Sequence, residues 1–136
     1  MFTYKHRVAY YETDKMGITH HSNYIRWMEE ARVRLMDEIG CTYRSTEDMG
    51  IVIPVLSVDC NYRKSTTFDE LITIETKISK MRPVKVFMSY VMKNEEGVIV
   101  ATGESSHGFI NESGRPIMLS KTHPDVYEAF LKYVEE

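Results

Sequence analysis

One long amphipathic helix, predicted between Ile25 and Gly40, is the feature that most constrains what this chain can fold into. Its apolar side chains recur at helical spacing and form a single stripe: Tyr24, Trp27, Met28, Ala31, Leu35 and Ile39. Ser22 is placed to cap the N-terminus, and Gly40 stands where a left-handed glycine commonly ends a helix. Such a stripe must be buried against a second element, so the rest of the chain has to supply one.

Strand patterns fill most of the remaining sequence. Alternating side chains predict strands at 2–10, 51–63, 71–81, 84–92 and 98–111, and a closing helix begins near Pro124. Short turns between consecutive strands make them antiparallel neighbours. The apolar positions of the second strand change parity next to Pro54, which predicts a bulge or bend there. Small residues around Gly103 predict close packing of the last strand against the helix.

One helix cannot cover both faces of such a sheet, so the sheet is predicted to curl around it. The predicted fold class is α+β, with an antiparallel sheet of about five long strands wrapped around one central long helix. A chain of 136 residues fits one domain, predicted to span 1–136, and is long enough to bury a core.

Composition excludes several classes of function. The formal net charge is −3, from 17 basic and 20 acidic residues, so no global attraction to nucleic acid is expected. The two cysteines, Cys41 and Cys60, suggest neither a disulfide framework nor a metal site. No window approaches the length of a membrane span, and the N-terminus has no apolar signal core. These features predict a cytoplasmic protein without stable membrane insertion, metal or cofactor.

A polar loop runs into the helix and carries groups that can move protons. It contains a carboxylate, Asp14, and two imidazoles, His20 and His21. A helix N-terminus offers unpaired N–H groups and a partial positive charge, which suit a developing oxyanion. The loop therefore combines an acid/base group with an anion-stabilising terminus. The alternative is a solvated loop whose Asp and His side chains only cap backbone groups.

The spacing Tyr10-x-x-x-Asp14-x-x-Gly17-x-x-x-His21-x-x-Tyr24, followed by a long helix and a run of strands, resembles the hotdog-fold acyl-CoA thioesterases. The most similar subgroup is that of 4-hydroxybenzoyl-CoA thioesterase and the Tol-Pal-associated acyl-CoA thioesterases. The likeness covers nearly the whole chain, including Tyr62-Arg63-Lys64 and Met81-Arg82. His21 places the chain nearer the Tol-Pal-associated branch. Lys64 is a departure, since that position is often proline in the family.

The resemblance implies hydrolysis of an acyl-CoA to a free acid and coenzyme A. Asp14 would be the catalytic residue, as a nucleophile that forms an anhydride or as a base that activates water. His21 would orient water or polarise the carbonyl, and Tyr10 would hydrogen-bond near the site. The helix N-terminus would stabilise the oxyanion. Substrate-binding positions are expected at Gly17, Asn23, Tyr24, Arg63, Lys64 and Arg82, with the basic side chains meeting phosphates of coenzyme A.

The resemblance also implies a homodimer, often paired into tetramers, with active sites between subunits. Two alternatives stay open at this point. A hotdog hydratase or dehydratase uses an Asp and a His separated by four residues, whereas five or six separate Asp14 from His20 and His21. A non-catalytic acyl-CoA binding module would keep the pocket but lose the base.

Overall fold

A computed structural model describes residues 1–135. The strands are β1 (Phe2–Arg7), β2 (Val55–Tyr62), β3 (Leu71–Arg82), β4 (Lys85–Lys93) and β5 (Ile99–Gly108). The helices are α1 (Ser22–Ile39), α2 (Tyr43–Asp48), α3 (Leu119–Thr122) and α4 (Pro124–Leu131), and a short 3-10 turn covers Tyr10–Glu12. The closing helix thus begins at the predicted proline.

The five strands form one antiparallel sheet in the order β1-β3-β4-β5-β2. The long helix α1 packs against this sheet through its apolar stripe, all six members of which are buried. The predicted α+β class and the helix-against-sheet core are therefore confirmed. The single domain of residues 1–136 stays a prediction, and its last residue lies outside the described part of the chain.

Of the two predicted ends of α1, only the C-terminal end agrees with the structure. Gly40 ends the helix in the left-handed region with φ 90°. The predicted cap at Ser22 is wrong, because the helix begins at Ser22 and His21 is the N-cap. His21 already has helical dihedral angles, and the Ser22 hydroxyl is 2.9 Å from His20 Nδ1 instead of capping a helix amide.

Three strands are shorter than their patterns predict, and one of them is β5, which covers Ile99–Gly108 of the predicted 98–111. β1 ends at Arg7 because the chain turns into the 3-10 segment, and β2 begins at Val55 because Val52 makes only an isolated bridge to Ile110. The pairing of β2 with β5 changes register between Val55 and Ser57. This shift confirms the irregularity predicted next to Pro54.

Gly103 on β5 occupies a tightly packed position beside Met28 of α1 and Asp59 of β2. A Cβ atom at this position would collide with the side-chain methyl of Met28 on α1 and with the Asp59 carbonyl of β2. The absence of a side chain at Gly103 therefore leaves room for Met28 of α1, which confirms the predicted close packing at this stretch.

The edge strand β2 carries exposed apolar side chains on both faces. They are Val55, Leu56, Val58 and Tyr62, each between 40% and 52% exposed. Its only strand neighbour within residues 1–135 is β5. An eight-residue edge strand with unpaired backbone groups and apolar flanks is a ready template for pairing with another chain.

A chain of polar side chains crosses the interior from α1 to β5. Arg32 Nη1 donates to the Tyr90 hydroxyl at 3.1 Å, and that hydroxyl lies 2.7 Å from Ser105 Oγ. Ser105 Oγ in turn lies 2.8 Å from His107 Nε2. Arginine can only donate, so the Tyr90 hydroxyl accepts the first of these bonds, and the donors in the other two depend on the tautomer of His107.

His107 should make stability depend on pH. Burial first, and then the positive charge of Arg32, lower the pKa of His107 to about 4 from the usual 6.5. The folded state disfavours the charged form of His107. The free energy of unfolding is therefore unaffected by the titration of this histidine above pH 6.5 and decreases as the pH falls from 6.5 towards 4. The loss amounts to up to about 3 kcal/mol. Urea unfolding of wild type and His107→Gln across this range should show a flatter profile for the variant. His123→Gln, on a half-buried helix-capping histidine, is the control, and equal slopes in all three proteins would contradict the prediction.

Candidate active site

A tight loop between the 3-10 turn and α1 presents Asp14. Thr13 and Thr19 bridge across its base, and the Asp14 N–H donates to the Ile18 carbonyl at 2.9 Å. Gly17 makes the reversal possible, since its φ of 80° disfavours any residue with a side chain. Asp14 Oδ1 accepts the Met16 N–H at 2.9 Å. One carboxylate oxygen thus fixes the side chain, and Oδ2 is left to act on a ligand.

This carboxylate lines a cavity of about 300 Å³ between the loop, the start of α1 and the end of β2. His21 and Tyr24 contribute from the helix, and Tyr62, Arg63 and Lys64 contribute from the end of β2. The remaining lining residues are Met16, Ile18, Thr19 and Ser65. The structure therefore brings together Asp14, His21, Tyr24, Arg63 and Lys64 from the predicted site.

Two tyrosines hold the far wall of this cavity. The Tyr62 hydroxyl donates to the His21 carbonyl at 3.0 Å, and burial, followed by the proximity of Cys60, raises the pKa of Tyr62 to about 12. Tyr24 is buried, and its hydroxyl lies 3.1 Å from Thr66 Oγ1. Both hydroxyls are therefore protonated at neutral pH and act as hydrogen-bonding groups rather than bases.

The start of α1 differs in detail from the predicted anion site. Asn23 N–H donates to the His20 carbonyl at 3.0 Å, and Tyr24 N–H to the His21 carbonyl at 3.4 Å. Ser22 N–H points to His20 Nδ1 at 3.3 Å. The His21 N–H, in contrast, has no hydrogen-bond acceptor within residues 1–135. The amide free to bind a ligand oxygen is thus that of the N-cap residue.

A buried carboxylate, Glu12, holds the loop to the rest of the molecule. Its Oε1 accepts from Ala9 N–H at 2.7 Å and lies 2.8 Å from His6 Nε2, and its Oε2 accepts from the Trp27 indole at 2.8 Å. Burial alone would raise the pKa of Glu12, but the hydrogen bonds from Ala9, His6 and Trp27 outweigh it, and the pKa lies below the usual value. Sequence reasoning missed this role, because nothing in the pattern separates a buried acid from an exposed one.

Four residues of the predicted site lie outside the described lining of this cavity: Tyr10, Asn23, Gly17 and Arg82. Tyr10 is 77% exposed and packs edge-on against Phe68 at 5.6 Å between ring centroids. Asn23 is buried and donates to the Glu12 carbonyl at 2.9 Å, so its side chain secures the loop. Gly17 shapes the turn and is absent from the described lining.

The basic residues fall into two separate groups. Arg63 and Lys64 follow β2 and line the Asp14 cavity. Arg82 is the last residue of β3 and lies opposite Lys85 in the strand register. This is the end of the sheet at which β5 ends with Gly108. Tyr62 pairs with Ala101 at the other end of β5. Arg82 therefore lies at the opposite end of the sheet from the Asp14 of its own chain.

Two features bear on the class of protein. Across residues 1–135, no group of three His, Cys, Asp or Glu side chains could hold a metal ion. Of the helices in this part of the chain, none is both long enough and apolar enough to cross a membrane.

The model of the thioesterase-like superfamily matches residues 8–131, and the chain belongs to this family. The YneP protein of Bacillus subtilis, provisionally named an acyl-CoA thioesterase, is 34% identical over 126 residues, covering 92% of this chain and 91% of its own. The acyl-CoA thioesterase YbgC of Haemophilus influenzae is 26% identical over 97 residues, covering 68% and 70%.

Solved structures agree with this assignment. A DHNA-CoA thioesterase from Staphylococcus aureus superposes with a TM-score of 0.91 at 33% identity, covering 96% of this chain and 88% of its own. The predicted hotdog fold is therefore confirmed, as is the prediction of an enzyme in the thioester hydrolase class.

Replacing Glu12 should loosen the loop that carries Asp14. In Glu12→Gln the amide group must face either the Trp27 indole or the Ala9 N–H, so one buried donor loses its acceptor. We expect the free energy of unfolding to fall by about 1–3 kcal/mol, measured by urea denaturation. Glu96→Gln, on an exposed turn, is the matched control and should change stability little. Equal stability of the two variants would show that the Glu12 hydrogen bonds contribute nothing net.

Proposed function

We propose that the protein hydrolyses acyl-CoA thioesters to a free acid and coenzyme A, with Asp14 as the catalytic residue. The observation that carries this proposal is one cavity lined by Asp14 and His21, which have a carboxylate oxygen and a backbone N–H without partners in the described chain, and by the basic side chains of Arg63 and Lys64. The names of YneP and of YbgC support acyl-CoA as the substrate. The free thiols Cys41 and Cys60 fit the reducing cytoplasm as its location.

The reaction needs modest machinery, because a thiolate is a good leaving group. Asp14 Oδ2 either takes a proton from the attacking water or attacks the carbonyl carbon itself to give an anhydride. The carbonyl oxygen gains negative charge, and the His21 N–H stabilises it with help from the partial positive charge of the α1 N-terminus. The tetrahedral intermediate then expels coenzyme A as its thiolate. The imidazole of His21, which is exposed and lines the cavity, would orient the water.

The remaining predicted residues serve binding. Arg63 and Lys64 offer positive charge beside the Asp14 cavity and suit phosphates of coenzyme A. The Tyr24 ring stacks with Trp27 and meets Tyr62 edge-on, giving an aromatic wall. On this proposal Gly17 and Asn23 act indirectly, by shaping and fixing the loop. Tyr10, exposed beside Phe68, would reach substrate only outside the cavity.

We propose a two-fold dimer joined through β2, which would complete the site. Antiparallel pairing of two β2 strands sets the Val55 end of one chain beside the Tyr62 end of its partner. The basic end of β3 with Arg82 then lies on the same side as the partner's Asp14 cavity. A tetramer would need a second interface. Placement in the subgroup of 4-hydroxybenzoyl-CoA and Tol-Pal-associated thioesterases is also part of the proposal, carried by His21 within the motif.

Asp14→Asn should retain the fold and lose most turnover. The amide keeps the shape of the side chain but can neither accept a proton from water nor act as a good nucleophile, so kcat should fall about 100-fold or more. Release of coenzyme A is followed with a thiol reagent on a panel of acyl-CoAs. Asp69→Asn is the control, an exposed acid whose positive φ asparagine tolerates. Near-normal kcat in well-folded Asp14→Asn would contradict the assignment.

A single turnover in heavy-oxygen water identifies the nucleophilic role when label appears on Asp14. Label in the product acid alone is expected both for activated water and for water that attacks the acyl carbonyl of an anhydride. If Asp14 activates water, the label enters the product acid. If an anhydride forms and water attacks its Asp14 carbonyl, the label stays on Asp14 and appears in the mass of that peptide.

The dimer is tested by light scattering at micromolar concentration. A mass of twice 15.9 kDa or more is expected for the active protein. Val58→Glu places a charge on the β2 edge and should shift the mass towards the monomer and reduce activity. Val98→Glu is the matched control, because both valines are 40% exposed and Val98 lies in a turn. A fully active species of monomer mass would contradict both the interface and the shared site.

A further inference from the structure

A second cavity, of about 340 Å³, lies between α1 and the Val55 end of β2. Its walls are largely apolar: Val33, Met36, Ile39, Val86, Met88 and Phe130. Arg32 and His107 also line it and make one polar corner. The exposed Glu29 is the only carboxylate in the described lining. A cavity of this size and composition suits a small ligand with an apolar body.

The polar corner offers hydrogen-bond donors. One Arg32 N–H group is used on Tyr90, and within residues 1–135 Arg32 forms no salt bridge. His107 is 3% exposed, its Nε2 is engaged by Ser105, and its Nδ1 has no hydrogen-bond partner in the described chain. The guanidinium of Arg32 therefore keeps further N–H donors for a ligand, and this Nδ1 of His107 lies beside it in a largely apolar cavity.

Ser105 and His107 do not make a second hydrolytic centre. Ser105 is absent from the described lining of the cavity, and the lowered pKa of His107 makes its imidazole a weak base. The pair also lacks a carboxylate behind His107 within residues 1–135, since Nδ1 faces the cavity without a partner. The network orients donors and leaves proton transfer to the Asp14 site.

We infer that this cavity binds the acyl part of the thioester and selects acyl groups that carry an oxygen acceptor at the far end. The inference rests on the proposed function and dimer. Antiparallel pairing of two β2 strands brings the Val55 end of one chain, together with this cavity, beside the partner's Asp14 cavity. Within one chain the two cavities lie at opposite ends of β2, a strand length of about 23 Å apart. A carboxylate would pair with the Arg32 guanidinium, and in the His107 tautomer with its proton on Nδ1 it would also accept from that imidazole. A phenolic oxygen offers the same acceptor chemistry with less charge.

Two matched pairs of substrates test the selection and separate the two acceptor sources. Adipoyl-CoA and hexanoyl-CoA have the same chain length and differ by a terminal carboxylate, and 3-hydroxybenzoyl-CoA and benzoyl-CoA differ by a phenolic oxygen. In wild type, the ratio of kcat/KM within at least one pair should favour the acceptor-bearing member about tenfold or more, as for a charge-assisted hydrogen bond in a dry site. The pair that shows it identifies the acceptor.

Arg32→Met removes the charge while keeping an unbranched side chain, and should lower that ratio about tenfold. Both substrates are measured on the same protein, so partial misfolding cancels in the ratio. Arg32→Lys should restore part of the preference for the carboxylate, and Arg26→Met, an exposed arginine on the same helix, should leave the ratio unchanged. Ratios near one for both pairs in wild type, or a ratio unaffected by Arg32→Met, would overturn the inference.

Failure of the proposed function gives a different result. If no acyl-CoA is hydrolysed, the proposed function fails, and the selection is measured by binding. Calorimetric titration of wild type and Arg32→Met with the four acyl-CoAs then gives the same ratios as dissociation constants. A wild-type preference lost in Arg32→Met supports the cavity assignment, and equal affinities within both pairs overturn it.

Discussion

One buried carboxylate holds together the three segments on which the candidate site depends. Glu12 accepts hydrogen bonds from the end of β1 and from the Trp27 indole inside α1, and its own backbone carbonyl accepts from His20 and Asn23. A buried charge is costly unless every oxygen has a donor, and here both oxygens do. The Asp14 loop is short and exposed, so its geometry is inherited from this inner contact rather than from its own packing.

The predictions from sequence succeeded for features that depend on residues close together in the sequence. The α1 stripe, the left-handed Gly40 and the irregularity near Pro54 follow from local spacing, and the structure contains all three. Asp14 and His21 line the same cavity because they are close in the sequence, with only six residues between them. The fold class could be predicted because one helix and five strands have few ways to bury each other.

The failures arise from contacts between distant residues. The pattern of alternation around Glu12 is the same whether that side chain is buried or exposed, and nothing local shows that Arg82 lies at the far end of the sheet. The free amide at His21 depends on where His20 and Ser22 point, which the composition of a cap cannot specify. The polar network from Arg32 to His107 joins side chains 75 positions apart in the sequence, beyond the reach of any periodicity.

The hydrogen bond from the Tyr62 hydroxyl to the His21 carbonyl connects the edge strand β2 directly to the candidate active site. Tyr62 is the last residue of β2, and His21 is the residue whose amide is free at the start of α1. If two chains pair through β2 as proposed, a change in the twist of that strand would reach the His21 peptide group through this one hydroxyl. On the proposed dimer and site, a change at the interface would then alter the geometry next to Asp14, so selection on association would also act on turnover.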